Sequence, residues 1–181
     1  MNMSRSKKIV LLIGILILGL PLVVASSWLV TQSMIENTSD HEFCTRCHSM
    51  KVFGESYLLD VHGGNNPVGV QVVCTDCHLP HDTLTNYLFT KAKTGIHDVW
   101  AEYTLDIDKI DWEAKRQHRE DFVYDSGCLK CHSNLEKATS ASNKAFVAHK
   151  PYFLGTTDKK CVSCHEFVGH QDLTSFIQKL Q

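Results

Sequence analysis

The first feature of the chain is an uninterrupted apolar stretch close to its N-terminus. No charged residue occurs from Ile9 to Val30, a run of 22 residues. As a helix this run would rise about 33 Å at ~1.5 Å per residue, which is enough to cross a bilayer core of about 30 Å. The pattern therefore predicts a single transmembrane helix over residues 9–30.

The charges on either side of this stretch differ in sign. Three basic residues precede it (Arg5, Lys7 and Lys8), and the first charges that follow it are acidic (Glu36, Asp40 and Glu42). By the positive-inside rule, residues 1–8 are cytoplasmic and residues 31–181 form an exported domain, so we expect a single-pass inner-membrane protein. The alternative is a cleaved signal peptide, because residues 23–26 resemble a small-residue cleavage site.

The rest of the chain has helical rather than strand patterning. Polar and apolar positions interleave as in helices over residues 84–104 and 112–123. The one β-branched stretch, residues 68–73, is short and follows a Gly- and Asn-rich loop at residues 63–67. The sequence predicts a mainly α, loop-rich fold of one domain plus the anchor.

Composition excludes one class of function and draws attention to two residue types. The net charge of −2 argues against a nucleic-acid-binding protein, whose footprint would be a strongly basic face. Eight cysteines and eleven histidines are unusual for 181 residues.

All eight cysteines belong to four copies of one motif. Each copy has the pattern Cys-x-x-Cys-His, and they comprise Cys44, Cys47 and His48; Cys74, Cys77 and His78; Cys128, Cys131 and His132; and Cys161, Cys164 and His165. This is the attachment signature of c-type haem, in which two thiols bind the porphyrin and the adjacent imidazole ligates its iron. Disulfides or structural zinc would leave the four histidines unexplained. The sequence therefore predicts four covalently bound haem c groups.

The motifs are arranged as an internal repeat. The first cysteines are 30 residues apart in the first half and 33 apart in the second, and His62 precedes Cys74 by the same twelve positions as His149 precedes Cys161. We therefore expect two dihaem pseudo-repeats, residues 40–85 and 124–172, joined by residues 86–123.

The opposite face of each iron needs a ligand from elsewhere in the chain. The repeat favours His62, His149 and His170 as distal ligands, with His81 and His118 as reserves. Two imidazoles make a closed, low-spin iron suited to electron transfer. The first motif differs, because Met50 follows His48 by two residues on the same side of the haem. Either His48 ligates the iron and Met50 packs in the core, or Met50 replaces His48 as the ligand.

Taken together, these motifs resemble the NapC/NirT/NrfH family of membrane-anchored tetrahaem quinol dehydrogenases, which includes CymA-like proteins. The resemblance rests on the anchor, the four motifs, the methionine after the first, the sequence Cys77-His78-Leu79-Pro80-His81 and the closing segment 164–170. It implies oxidation of menaquinol or ubiquinol at the haem nearest the membrane and electron transfer to a periplasmic reductase, such as a nitrate or nitrite reductase, in anaerobic respiration. It is compatible with an oligomer.

The resemblance also implies roles for three residues. Met50 resembles the ligand of the first haem in NrfH-like members. Lys91 and Asp98 match a lysine and an acidic residue that flank the quinol in the family. If residues 84–104 are helical, the seven-residue spacing puts both on one face, where a carboxylate can accept a proton from the quinol.

Two other functions remain open from the residues alone. A terminal multihaem reductase of a small oxyanion would need an open iron facing solvent, and only the first haem could provide one, since all four motifs end in histidine. The other possibility is a redox sensor or electron reservoir, but we expect no signalling segment beside the haem motifs. We therefore expect a quinol dehydrogenase or electron-transfer subunit rather than a terminal reductase.

Overall fold

The computed structural model describes residues 4–179, and the chain divides into two compact units, Met1–Ser39 and Asp40–Gln181. The first unit is a single helix, α1 (Arg5–Asn37), which extends the predicted span in both directions and contains Pro21. At ~1.5 Å per residue its 33 residues are about 50 Å long. None of its residues is buried, and its length and composition suit a segment that crosses a membrane.

The second unit is helical. Among the described residues it contains ten α-helices and three 3-10 turns, which connect through irregular segments. The helices are α2 (His41–Cys44), α3 (Lys51–Leu59), α4 (Cys74–His78), α5 (Leu84–Thr104), α6 (Trp112–Gln117), α7 (Asp125–Cys131), α8 (Leu135–Thr139), α9 (Asn143–Phe153), α10 (Cys161–Cys164) and α11 (Leu173–Ile177). The 3-10 turns are His48–Met50, Ile107–Lys109 and Arg119–Asp121.

Short polar side chains fix where four of these helices begin. The Asp40 carboxylate accepts the Phe43 N–H at the start of α2, and three further caps act in the same way: Thr83 for α5, Asp111 for α6 and Ser142 for α9. Each cap satisfies one of the backbone donors that a helix leaves unpaired at its first turn.

The predicted secondary structure is largely confirmed. The helix expected over residues 84–104 is α5. The helix expected over 112–123 is wrong in its second half, because α6 ends at Gln117 and the chain leaves helical geometry at His118. The break lets the Arg119 side chain reach across to α10, where its Nε–H donates to the Val162 carbonyl at 2.7 Å. Residues 68–73 form no strand; the described residues contain only an isolated bridge between Gly63 and Gln71.

The peptide core is small for a unit of this size. Within residues 4–179 only seven apolar side chains are buried (Val52, Tyr57, Leu79, Pro80, Val162, Leu173 and Ile177). They lie mainly where α3 packs on α11, a contact that the Ser56 hydroxyl reinforces by donating to the Gln171 carbonyl at 2.8 Å. So small a core fits a domain whose apolar interior is completed by macrocycles.

Candidate haem and quinol sites

Each Cys-x-x-Cys-His motif lies in or beside a short helical segment. The second motif is α4, the third ends α7, the fourth begins at α10, and the first follows from the last residue of α2. In helical geometry, residues three apart share a face, so the two thiols of a motif point the same way. All eight cysteines are free, and no group of three potential metal-ligating side chains occurs in the described residues.

The two halves make an equivalent contact between their motifs. The first cysteine of one motif interacts electrostatically with the first cysteine of the next, as Cys44 with Cys74 and Cys128 with Cys161. The neighbouring thiol lowers the pKa of Cys44 and lowers that of Cys128 to about 7, and the pKa of each partner is raised. The repeat predicted from motif spacing thus has a matching contact in each half.

Three motif histidines each face a histidine from elsewhere in the chain. The ring centroids are 6.2 Å apart for His78 and His170, 6.3 Å for His132 and His62, and 6.0 Å for His165 and His149. Metal–imidazole bonds are about 2 Å long, so two imidazoles on opposite sides of one metal ion have centroids about 6 Å apart. The three histidines predicted as distal ligands are therefore the three that the fold brings opposite a motif histidine.

Hydrogen bonds to the imidazole rings of these histidine pairs leave one ring nitrogen available to bind iron. Four of the six histidines donate Nδ1–H to an oxygen acceptor, so Nε2 carries the free lone pair. The acceptors are the Phe122 carbonyl for His78 (2.9 Å), the Phe53 carbonyl for His170 (3.1 Å), the Ala145 carbonyl for His149 (2.8 Å) and the Asp60 carboxylate for His62 (2.9 Å). A second-shell acceptor of this kind orients a metal-bound imidazole.

Two further observations agree with a haem between His78 and His170. Burial, with the neighbouring His78, lowers the pKa of His170 to about 4, so this ring is neutral and able to ligate iron at pH 7. The Trp112 ring packs against Phe53, and its buried Nε1–H has no acceptor among the described residues. A haem carboxylate would provide one. The residues present therefore fit the group that the motifs predict.

The remaining histidines have other surroundings. His81 Nε2–H donates to the Thr75 carbonyl at 3.1 Å, which occupies the nitrogen that an iron would need. His118 is exposed at the end of α6, and the exposed His97 ring has its Nδ1 3.3 Å from the Asp98 carboxylate. His81 and His118, the two reserves, thus face no motif histidine.

The first motif is organised differently from the other three. His48 is exposed and, within the described residues, faces no second histidine ring. His48 and Met50 share a 3-10 turn that is held by Glu102 from α5: the carboxylate accepts the His48 N–H at 2.5 Å and the Ser49 hydroxyl at 2.6 Å. Burial raises the pKa of Glu102, but these hydrogen bonds outweigh it and the pKa lies below its usual value.

Lys91 and Asp98 lie on the helix that makes this contact. The neighbouring Cys74 thiol lowers the pKa of Cys44 and the charge of Lys91 adds to this, whereas burial and the charge of Asp98 act against it. Burial raises the pKa of Cys47, as do the charges of Glu102 and Asp98. Both charged side chains therefore act on the first motif. The Asp98 side chain is 72% exposed, so a ligand can reach it.

The sequence reasoning missed two carboxylates. Glu102 lies eleven residues after Lys91 and four after Asp98, so helical spacing could have identified it as a third member of the same face. Asp60 lies two residues before His62, and only the turn that follows α3 brings its carboxylate against the imidazole. No spacing rule in the sequence indicates that contact.

Comparison with known proteins bears on the family and the fold of the chain. The sequence matches the model of the NapC/NirT cytochrome c family, N-terminal region, over residues 4–175. It is 34% identical to the cytochrome c-type protein TorY of Escherichia coli O157:H7 over 87% of this chain, and it spans only 45% of TorY. It is 30% identical to the tetraheme c-type cytochrome CymA of Shewanella oneidensis over 88% of this chain and 90% of CymA.

A solved structure has the same fold. The crystal structure of the cytochrome c nitrite reductase NrfHA complex bound to the HQNO inhibitor contains a chain that matches with a TM-score of 0.56 and 25% identity, over 86% of this chain and 90% of that one. The mainly α multihaem cytochrome fold and the covalently bound haem c are thereby confirmed, and the apolar helix and the relatives together support a membrane anchor. The chain belongs to the NapC/NirT cytochrome c family.

Proposed function

We propose that this chain is a membrane-anchored tetrahaem cytochrome that oxidises menaquinol or ubiquinol and passes the electrons to a periplasmic reductase, of the nitrate or nitrite reductase type. The observation that carries the proposal is the α5 face. Lys91, Asp98 and Glu102 share it, and all three act on the one motif whose histidine faces no second imidazole. The anchor keeps this motif on a chain that cannot leave the lipid in which quinol is dissolved.

The haem and ligand assignments belong to the same proposal. We assign the four cysteine pairs to the thioether bonds, the histidine pairs 78/170, 132/62 and 165/149 to three irons, and Met50 to the first. The bilayer segment is residues 9–30, with residues 1–8 cytoplasmic and 31–181 periplasmic. The basic residues Arg5, Lys7 and Lys8, which precede the apolar run, support this orientation.

The residues of the α5 face suit the chemistry of a quinol. Oxidation of a quinol releases two protons and two electrons, and each haem accepts one electron, so a proton acceptor is needed at the site. Asp98 accepts the proton of one quinol hydroxyl and, because its side chain is 72% exposed, passes it to water before it accepts the second proton. The Lys91 ammonium donates a hydrogen bond to a quinol oxygen. Glu102 holds the His48–Met50 turn against the same helix, which fixes the distance between quinol and first motif.

The experiment is reduction of the purified full-length protein by a soluble menaquinol analogue, followed by haem absorbance. Asp98→Asn should slow the reduction about 100-fold, since general-base catalysis contributes roughly 10²–10⁴. Lys91→Gln should slow it as well. Reduction by dithionite should be unchanged in both variants, because it does not pass through the quinol site.

Matched controls are available nearby. Lys93→Gln removes a charge from the same helix two residues away, and Asp108→Asn removes an exposed carboxylate beyond its end. Both should reduce at the wild-type rate. Wild-type haems that quinol analogues fail to reduce would contradict the proposal, and so would equal losses in Lys91→Gln and Lys93→Gln.

One observation also favours the terminal reductase of a small oxyanion. A first iron without a second imidazole opposite His48 could bind nitrite or nitrate directly. This function predicts that nitrite or nitrate reoxidises the dithionite-reduced protein with no partner present. The quinol-dehydrogenase proposal predicts that reoxidation waits for the partner reductase.

A further inference from the structure

Of the four imidazole Nδ1 hydrogen bonds described above, three end on backbone carbonyls and one ends on a carboxylate. His62 Nδ1–H donates to Asp60 Oδ1 at 2.9 Å, and the His62 backbone N–H donates to the same oxygen at 2.8 Å. The turn is therefore closed by a single carboxylate oxygen that accepts two hydrogen bonds from one residue. The hydrogen bond belongs to the site that His62 forms with His132, whereas only the charge of Asp60 also acts on His170.

The surroundings of Asp60 preserve the strength of this interaction. Asp60 is 8% exposed, and among residues 4–179 no lysine or arginine forms an ion pair with its carboxylate. Solvent and neighbouring cations therefore screen it little, and a charge-assisted hydrogen bond is correspondingly strong. The Asp60 carbonyl accepts the Gly63 and Asn65 N–H groups, which holds the turn and hence the carboxylate in place.

A carboxylate acceptor changes the electronic character of a metal-bound imidazole. It draws the Nδ1 proton toward itself, makes the ring more electron-donating and brings a full negative charge near the metal. An iron so ligated is stabilised in its ferric state relative to its ferrous state, since second-shell hydrogen bonding and charge are among the levers that set haem potentials. A carbonyl acceptor carries only a partial charge and acts more weakly.

We infer that Asp60 tunes the haem ligated by His132 and His62 to a lower reduction potential than the other two bis-imidazole haems. Asp60 is a positioning and tuning residue and does not itself touch the iron. The inference rests on the ligand pairing proposed above and adds a specific order of potentials to it. Electrons that pass through the protein would then cross one bis-imidazole haem whose reduction potential is lower than that of the other two.

The test is Asp60→Asn in the full-length protein. Asparagine keeps an oxygen that accepts both His62 hydrogen bonds and removes only the charge. In a potentiometric titration followed by EPR, one low-spin component should shift to a more positive midpoint. We expect about a tenfold change in its redox equilibrium, which for a one-electron couple is about 59 mV. Glu55→Gln removes an exposed carboxylate from α3 and should move no component.

Two outcomes would overturn the inference. In the first, the Asp60→Asn protein carries four haems and every low-spin component has its wild-type midpoint potential. In the second, the midpoint potentials of all components shift equally, and by the same amount as in Glu55→Gln. If the variant loses haem, the inference can be tested on the wild-type protein by near-infrared magnetic circular dichroism. One bis-imidazole charge-transfer band should lie apart from the other two, and three coincident bands would refute the tuning.

A separate variant distinguishes a failure of tuning from a failure of ligand pairing. His62→Met should change the spectrum of one low-spin haem, because a thioether replaces an imidazole on the iron. An unchanged spectrum would remove His62 from the ligand set and the tuning with it. A changed spectrum together with unmoved potentials in Asp60→Asn would refute the tuning alone.

Discussion

Gly127 lies directly against the backbone of Asp76. A Cβ on Gly127 would lie 1.8 Å from the Asp76 carbonyl oxygen and 3.6 Å from the Cys77 Cα. The contact joins α7 to α4, that is, the third haem motif to the second. Two further links hold the same interface: the Tyr124 N–H donates to the Cys77 carbonyl at 3.0 Å, and the Lys130 ammonium pairs with the Asp76 carboxylate at 2.6 Å.

Gly127→Ala should therefore separate the two motifs. The Asp76 carbonyl belongs to the backbone and cannot rotate away, so we expect a destabilisation at or above the ~1–3 kcal/mol typical of overpacking. Thermal unfolding, with haem content measured by mass spectrometry, tests this. Gly95→Ala is the control, because a Cβ there has open space in the middle of α5 and should stabilise by about 0.5–1 kcal/mol. Equal stabilities of the two variants would contradict the close approach.

Arg119 should be needed to hold the fourth motif. Its guanidinium donates to the Val162 carbonyl at 2.7 Å, the Ser163 carbonyl at 3.3 Å and the Glu166 carboxylate at 2.9 Å. Lysine keeps the charge but cannot donate to three acceptors in this planar fork. Arg119→Lys should therefore cost about 1–3 kcal/mol of unfolding free energy.

Chemical denaturation of the holoprotein measures this effect. Arg46→Lys serves as control, since Arg46 is exposed and stacks only on the Phe43 ring. If both variants unfold at the same denaturant concentration, the hydrogen bonds of Arg119 to the fourth motif contribute no stability.

The sequence predicts local features of this fold well. Helix α5 has the bounds that its polar and apolar pattern predicts, because a Thr83 cap and a long amphipathic run are both local. The candidates His62, His149 and His170 could be chosen because the repeat places them at related positions. Which motif histidine each one faces depends on contacts across up to 92 residues, as for His78 and His170, and no pattern in the chain encodes that pairing.

Long-range contacts also explain where the predictions from the sequence were wrong or incomplete. The helix predicted over residues 112–123 breaks at His118 because Arg119 makes tertiary contacts with α10, and these outweigh local helix propensity. Asp60 and Glu102 act on residues of the candidate sites through a turn and a helix-to-loop contact, respectively. Helical spacing places Glu102 on the face of Lys91 and Asp98, but its contact with the turn at His48 cannot be derived from spacing, and neither can the contact of Asp60 with His62.

The role of Met50 can be decided by spectroscopy. The oxidised protein should show three low-spin bis-imidazole haems and one haem with a different spectrum. Met50→Leu conserves side-chain volume. If the thioether ligates iron, the substitution should change only the spectrum of the haem bound by the first motif. Met34→Leu, in α1, should change none. Four unchanged spectra in Met50→Leu would instead assign Met50 to packing and leave His48 as the ligand.

The mass of the mature protein distinguishes a retained anchor from a signal peptide. The apolar run of 22 residues is longer than the ~7–15 residues of a signal-peptide core, and α1 continues beyond it to Asn37. We therefore expect the purified protein to keep its N-terminal segment, to carry four haems and to leave the membrane only in detergent. A salt wash should not release it, because the anchor is apolar rather than electrostatic. A water-soluble protein that starts near Ser26 would contradict the anchor and, with it, direct access to quinol in the bilayer, while the four haem sites would still stand.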